Sequence, residues 1–443
     1  MIPAARVFVA LALTSLLLLA GFGAIGWAYL ALGLDLLLLA AFLFDGWRAR
    51  AAGVSAERSW PPLLVQGAPG EVKVAVRQPP EARRTLTVRL REGLHPALAA
   101  APLRVELVVP PGAASARWTY NLVPRHRGEP RVGPLTGRVL GPWKLAWWER
   151  ELVAPEVRHV YPQVRWEGKV GQLLTLAQRH QLGVMPFHAI GSGTEPYALR
   201  SYLAGDPLSK IHWKATARHG RLIAREDTWE RGARLVILLD CARSMTSVEG
   251  ERSKLDHSLA AALALTRVAA GRGDRVTLVA FSDRVERVVR VAAGARGIAR
   301  AYRELFDLEP RLAEPAYDLA AGEALRLEAR SATVALFTSV VDLAAAELLK
   351  EALLTLERRH RPMLVNLEDP ELVALATREP KDAPQAFAQV AALEIALANR
   401  RLARTLRRAG VRVVATPADR LALETLETYL ALFRSRLLRR RAA

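Results

Sequence analysis

Leu235-Val236-Ile237-Leu238-Leu239-Asp240-Cys241-Ala242-Arg243-Ser244-Met245 is a run of branched apolar residues that ends on a carboxylate and then breaks into small and polar residues. A run this short and this apolar reads as a strand buried on both faces, the habit of a parallel sheet covered by helices. The residues downstream repeat it. Apolar β runs at Val276 to Phe281, Thr333 to Phe337, Met363 to Leu367 and Val411 to Val414 alternate with helical patterns at Lys254 to Ala270, Ile298 to Phe306, Tyr317 to Arg330, Leu343 to Arg358 and Val390 to Arg408. That order predicts an α/β doubly wound parallel sheet over 233–443, with its binding crevice in the loops after the strands' carboxyl ends. A last amphipathic helix is expected over Ala418 to Leu438, ending in the basic run Arg434, Arg436, Arg439, Arg440 and Arg441.

Upstream the pattern changes twice. From Val7 to Phe44 the one ionisable residue is Asp35, in a field of Leu, Ala, Val and Phe. A single helix of that length would rise about 57 Å, roughly twice the hydrocarbon core, so a two-span transmembrane hairpin over 1–50 is expected, turning near Gly21, Gly23 and Gly26. Arg6 precedes it and Arg48 and Arg50 follow it, which puts both ends in the cytoplasm by the positive-inside rule. The competing reading is a cleaved secretory signal ending near Leu19. A carboxylate at mid-span is costly, and a hydrogen bond from Asp35 to Thr14 or Ser15 is expected; otherwise Asp35 sits near a headgroup.

Over 51–165, short β runs at Glu71 to Val76, Thr85 to Leu90, Arg104 to Val109, Ala116 to Leu122 and Glu156 to Tyr161 are separated by Pro and Gly. This spacing predicts a small antiparallel β-sandwich. Trp143, Trp147 and Trp148 are expected to fill its core or edge.

The chain has 443 residues, 63 Lys plus Arg against 44 Asp plus Glu, and one cysteine, Cys241. The length implies more than one domain, and an unpaired cysteine excludes an intrachain disulfide. A formal charge of +19 points to an anionic neighbour: nucleic acid, lipid or an acidic protein. No G-x-x-x-x-G-K-[ST], G-x-S-x-G or H-E-x-x-H motif occurs, so ATP hydrolysis, serine-hydrolase and zinc-protease chemistry are not expected. Cys241 stands where a nucleophile could sit, but a small packed residue is the commoner reason for Cys there. His212, His219, His257 and His360 lack metal-ligand spacing with it.

Between the two β-rich regions, 166–232 carries Leu199-Arg200-Ser201-Tyr202-Leu203-Ala204-Gly205-Asp206-Pro207-Leu208-Ser209-Lys210-Ile211-His212-Trp213-Lys214-Ala215-Thr216-Ala217-Arg218. Gly205-Asp206-Pro207 is turn chemistry, and Ile211 and Trp213 alternate with His212 and Lys214 as in a short half-buried strand. The segment reads either as a latch docking the sandwich on the α/β domain, with Arg200 or Arg218 bonded to Asp206, or as a basic recognition face.

This stretch, with the Asp240 loop, His360-Arg361 leading into Glu368-Asp369-Pro370, and Gly141-Pro142-Trp143-Lys144-Leu145 upstream, closely resembles the bacterial domain of unknown function 58 family. The resemblance implies a membrane-anchored protein with a von Willebrand A-like domain, associated with MoxR-type AAA+ ATPases in assembly or activation of other complexes. Such a domain binds a divalent ion through Asp-x-Ser-x-Ser, a distant Thr and a further Asp. Here Asp240 and Ser244 are kept, Ala242 replaces one Ser, Ser339 stands where the further Asp is expected, with Asp342 as its substitute, and the distant Thr has no counterpart in Glu314-Pro315-Ala316-Tyr317-Asp318, where Asp318 could approach. Mg²⁺ requires near-octahedral oxygen geometry, so a degenerate, metal-free site is expected.

The function expected is noncatalytic: an adaptor at the inner membrane presenting Asp240, Ser244, Ser339 and Asp342 to a partner protein, with Arg200, Tyr202, Gly205, Asp206, Pro207, Trp213, Lys214 and Arg218 as the signature surface. The rival readings are a hydrolase using Cys241 or a metal at Asp240, and a charge-driven nucleic-acid or anionic-lipid binder.

Overall fold

The computed structural model describes residues 1–20, 25–112, 114–164, 196–202, 211–227, 233–292 and 294–441. The chain divides into two units, Met1–Gln163 and Val164–Ala443.

The first unit begins with β1 (Ile2–Pro3), α1 (Ala5–Ala20) and α2 (Ile25–Ala51). Among the described residues one helix, Gly26–Ala51, is long and apolar enough to cross a membrane; the apolar stretch of α1, Ala5–Leu16, is shorter. Gly21 and Gly23 of the expected turn lie outside the described residues, whereas Gly26 is helical, so the turn excludes it. The bond expected between Asp35 and Thr14 is not formed. Thr14 Oγ1 donates to the Leu11 carbonyl at 2.9 Å and Ser15 Oγ to the same carbonyl at 2.8 Å, because in a helix that acceptor is always within reach of a hydroxyl three or four residues on. Asp35 Oδ1 is buried with no hydrogen-bond partner among the described residues.

Two antiparallel sheets follow. β2 (Ser55–Ser59), β3 (Gly70–Arg77), β4 (Leu86–Glu92), β5 (Leu98–Ala101), β6 (Arg104–Val109), β7 (Ser115–Pro124), β8 (Leu135–Leu140) and β9 (Ala146–Val153) form one sheet of order β2-β3-β7-β5 and one of order β1-β9-β8-β4-β6. Alternate residues Val72, Val74, Val76, Val88, Leu90, Trp118, Tyr120 and Leu122 fill the space between them. The Glu156 to Tyr161 run is two short pieces, Glu156–Val157 and Val160–Tyr161, because each pairs with a different partner, Arg131–Val132 and Leu64–Val65. One polar cluster joins the sheets. Arg58 on β2 pairs with Glu92 on β4, and the Tyr120 hydroxyl on β7 donates to Glu92 at 3.1 Å. Burial pushes the Glu92 carboxyl up, against the opposing pull of Arg58.

α2 does not end free in this unit. The Asp45 side chain is fully buried and accepts three backbone N–H groups of one turn: Trp143 at 2.8 Å, Leu145 at 2.8 Å and Ala146 at 3.0 Å. Gly141 opens that turn of necessity, since a Cβ there would lie 2.3 Å from the Asp45 carboxyl carbon. The same stretch receives β1, with Ile2 opposite Trp147 and Pro3 opposite Ala146. Of the three tryptophans expected in the core or at its edge, Trp147 is buried, while Trp143 is 50% exposed. The turn held by Asp45 carries Trp143 out of the sandwich.

In the second unit β10 (Pro196–Ser201) pairs antiparallel with β11 (Ile223–Asp227). Between them, Ile211 makes a bridge to Ala224 and the chain then turns into α3 (Trp213–His219), so the strand expected through Trp213 is a helix. His212 decides this locally: its Nδ1 accepts the Ala215 N–H at 3.1 Å as an N-cap, and Gly220 ends the helix at φ 64°.

The remaining elements are β12 (Arg234–Asp240), α4 (Lys254–Gly271), β13 (Arg275–Phe281), β14 (Val285–Val291), α5 (Ala295–Leu305), α6 (Tyr317–Leu327), β15 (Thr333–Thr338), α7 (Leu343–Glu357), β16 (Arg361–Leu367), α8 (Pro370–Thr377), α9 (Ala383–Arg408), β17 (Arg412–Thr416) and α10 (Ala418–Arg441). The six-stranded sheet has order β14-β13-β12-β15-β16-β17, parallel except for β14. Leu235, Ile237 and Leu239 pack in one core with Leu255, Leu259 and Tyr429; Val236 and Leu238 pack in the other with Tyr317, Leu349 and Leu353. Helices therefore cover both faces, and β12 is apolar at every interior position.

The Asp45 contacts generate a stability prediction. Asp45→Ala leaves three N–H groups without their acceptor and should cost about 2–4 kcal/mol of the first unit's stability. Chemical unfolding of the full chain in detergent, followed by tryptophan fluorescence, measures it.

Candidate functional site

The strand order reverses at β12: the chain passes to β13 on one side and later to β15 on the other. Loops diverge at such a switch point, opening a crevice at the carboxyl edge. Here the crevice is lined by Arg243, Ser244, Glu314, Pro315, Tyr317, Ser339, Val341, Asp342 and Ala345, and holds about 10 Å³, room for one water.

Asp240 does not line the crevice; it is connected to the lining through Thr338 and Tyr317. The carboxylate is fully buried; Oδ1 accepts the Ala242 N–H at 2.8 Å and Oδ2 accepts Thr338 Oγ1 at 2.6 Å. Thr338 Oγ1 lies 2.9 Å from the Tyr317 hydroxyl, so Asp240, Thr338 and Tyr317 form a chain of hydrogen bonds beneath the crevice. Burial pushes the Asp240 carboxyl up to about 6, against the lowering effect of those bonds, and pushes the Tyr317 phenol up as well.

Ser339 is buried and donates to the Leu367 carbonyl at 3.0 Å. It also accepts the Lys254 ammonium at 3.3 Å, and that ammonium reaches Asp369 at 2.8 Å. Lys254 is buried because it opens α4, whose start is fixed by a capping box between Ser253 and Asp256. Burial pushes the Asp369 carboxyl up, but Lys254 and the N–H groups of Glu371 and Leu372 outweigh it and leave it below the ordinary carboxylate range.

The rim is charged and accessible. Arg243 pairs with Glu314 at 2.9 Å and lies 3.8 Å from Asp342, and its side chain is 54% exposed. Asp342 also caps α7, accepting the Ala345 N–H at 2.7 Å. Ser244 Oγ is buried beside them with no hydrogen-bond partner among the described residues.

Of the four residues expected from sequence to share this site, Ser244, Ser339 and Asp342 line the crevice, whereas Asp240 is buried behind it because its carboxylate is taken up by the Ala242 N–H and Thr338. Asp318 does not line it; it is exposed on the first turn of α6, and Tyr317 is the residue of that segment that turns inward. The donor set does not fit a divalent ion. Both Asp240 oxygens are engaged, residue 242 is Ala, Ser339 carries a lysine ammonium beside it, and Asp342 shares its charge with Arg243 and a helix terminus. Among the described residues no group of three or more His, Cys, Asp and Glu side chains could hold a metal. The Cys241 thiol is buried and points to the Leu239 carbonyl at 3.5 Å.

Of the signature residues, Gly205, Asp206 and Pro207 lie outside the described residues, as do the expected pairings with Asp206. Arg200 lies on β10 opposite Ala224, and Tyr202 N–H donates to the Leu222 carbonyl at 2.9 Å. Trp213, Lys214 and Arg218 are exposed on α3. Sequence reasoning missed Thr338, Tyr317, Lys254 and the Arg243–Glu314 pair. Only the capping role of Asp342 had a local signal, an Asp immediately before the Leu343 helix pattern.

A family model described as "Protein of unknown function DUF58" matches residues 198–388. No curated protein matches the chain. Among solved structures, it is similar to the CARDB domain of a Pyrococcus furiosus protein in complex with di-metal ions, at 17% identity over 24% of this chain and 91% of that one, with a TM-score of 0.18. It is also similar to an uncharacterized protein from Nocardia farcinica with an immunoglobulin-like fold, at 12% identity over 25% of this chain and 98% of that one, TM-score 0.16. Proximal thread matrix protein 1 from the mussel byssus matches at 13% identity over 45% of each chain, TM-score 0.25.

The raised Asp240 carboxyl has a pH signature. Below about pH 4 it is protonated whether folded or unfolded; between about 4 and about 6 the unfolded chain releases its proton first, so stability falls as pH rises. The loss amounts to about 3 kcal/mol by pH 7. Asp240→Asn should remove that slope, read as a flattening between pH 4 and 6 of the melting temperature relative to wild type; the difference cancels Glu92, which acts with the same sign.

Proposed function

We propose that the chain is a membrane-tethered, noncatalytic adaptor. Two N-terminal spans hold a β-sandwich and a von Willebrand A-like α/β unit at the cytoplasmic face of the inner membrane, and the crevice above Asp240 engages a partner protein. A MoxR-type AAA+ ATPase supplies the energy, for assembly or activation of the complex being served.

The observation that carries this reading is the contrast between interior and rim. The groups that could perform chemistry, Asp240, Cys241 and Lys254, are buried and bonded, whereas Arg243, Glu314 and Asp342 present a half-exposed ionic cluster at the switch point. Such a rim can exchange one of its own pairs for a partner's charged side chain, and Arg is among the side chains that most often dominate a protein interface. The engaged interior keeps the rim in place rather than competing with it.

The two-span arrangement draws support from the first unit. The start of α1 and the end of α2 both attach to the Gly141–Trp147 region, Ala4 N–H to the Leu145 carbonyl at 2.8 Å and Asp45 to the turn, so the two helices leave the sandwich on the same side. Arg6, Arg48 and Arg50 at that side support a cytoplasmic orientation.

A photo-crosslinking residue at position 343, exposed beside Asp342 with Arg243 left in place, in the full chain in native membranes, tests the partner. A single protein adduct, weakened about tenfold when Glu314→Ala and Asp342→Ala disrupt the cluster, is the expected result. Adducts no stronger than those from a reporter at exposed Leu348 sink the adaptor reading. Arg243→Ala itself should change stability by less than about 1 kcal/mol, because the pairs are half-exposed.

A further inference from the structure

We propose that the turn Gly141–Ala146 and the end of α2 form one seat on the anionic phospholipid surface, with Trp143 lodged among the headgroups. This rests on reading α2 as a membrane span and adds a second contact, made by the sandwich itself.

The Asp45 clamp fixes Trp143 beside the last apolar turn of α2. The Trp143 ring lies 5.0 Å from Phe44, and Phe44 lies 6.0 Å from Trp47. All three rings face outward: Phe44 is 44%, Trp47 59% and Trp143 50% exposed. A second aromatic pair, Trp27 and Tyr29, is exposed at the other end of the helix. Trp27 and Trp47 are twenty residues apart, about 30 Å along a helix, which is the thickness of the hydrocarbon core. Aromatic rings at that separation mark the two interfaces, where an apolar ring meets lipid and its N–H meets water. Trp143 comes from a separate element yet joins the ring cluster at one of those two levels.

The charges at this level have one sign. Arg6, Arg48, Arg50 and Lys144 are exposed, and the single acidic side chain in the stretches 1–8, 44–50 and 141–148 is Asp45, which is buried. Arg50 stacks over Trp148 at 5.3 Å, and Lys144 sits at the tip of the turn at φ 60°, its N–H bonded to the Gly141 carbonyl at 2.9 Å. Long basic side chains beside interfacial rings reach for phosphate, and each adds attraction to an anionic leaflet. A ring cluster continuous with a lipid-facing helix and bordered by basic residues, with the next exposed acid, Glu149, paired to Arg138, fits anionic lipid, whereas a protein partner would have to occupy the plane of the headgroups.

The test uses the full chain with Cys241→Ala, reconstituted in vesicles of equal phosphatidylglycerol and phosphatidylcholine. Nitroxides are attached one at a time at Pro142→Cys, at Leu36→Cys within the span, and at Lys73→Cys on the sandwich as an aqueous reference. The readout is the ratio of collision rates with oxygen and with a water-soluble nickel chelate. The expected ratio at 142 is several-fold above that at 73, and Arg48→Glu with Lys144→Glu returns it to the aqueous value while Leu36 stays lipid-like. A lipid-like Leu36 with an aqueous 142 overturns this seat and leaves the span standing; an aqueous Leu36 overturns both. Shielding of 142 from both reagents assigns the surface to a protein and overturns the proposal, as does a ratio unchanged by the charge reversals.

Discussion

The Asp45 carboxylate is the constraint on which the architecture of the first unit rests. A helix that is apolar and largely exposed on its own has no reason to hold any particular angle to a sandwich. Three N–H groups converging on one buried carboxylate supply that reason. Bonds to a charged acceptor are stronger than neutral ones, and a buried carboxylate without them would be expensive. The pairing of Ile2 and Pro3 with the same strand adds a second fastening. The end of the apolar helix and the sandwich thus form one piece, and Gly141 has to be Gly for the carboxylate to fit.

The second unit uses burial of charge differently. Asp240 lies at the end of a strand whose interior, Leu235 to Leu239, is wholly apolar, and its needs are met by a loop N–H and a strand hydroxyl, Ala242 and Thr338. Lys254 ties α4 to the start of α8 through Asp369 and to the loop after β15 through Ser339. These contacts hold three loops at the carboxyl edge, those after β12, β15 and β16. Arg243 and Asp342 sit on two of those loops, so their positions on the rim are set before anything meets them.

The parallel sheet was legible because its strands are predominantly apolar, with Thr277 and Asn366 the interior polar positions: the runs at Leu235, Val276, Thr333, Met363 and Val411 all became strands. β14 was missed because Val-Glu-Arg-Val-Val-Arg-Val mixes charge into a half-exposed edge. β8 and β9 resisted the same reading, as Gly and charged residues interrupt them. At the candidate site, the family resemblance pointed to Ser244, Ser339 and Asp342, which do share one sheet edge. It could not show that Tyr317 rather than Asp318 turns inward, or that a lysine more than eighty residues upstream bonds Ser339, since these depend on packing across elements. The extended reading of Ile211–Trp213 failed for a simpler reason: a histidine N-cap with glycine at the far end outweighed a short alternation.

The single antiparallel strand at the sheet's margin has its own consequence. β14 carries Glu286, which is bonded by Ser282 and Arg311, and Arg287, which is tied to Asp307 on the chain leaving α5. An unguarded margin would offer its backbone N–H and C=O groups to the next molecule. Charges anchored in place along that border discourage strand-to-strand polymerisation. That border is thereby equipped to meet copies of itself at high concentration without stitching into fibres.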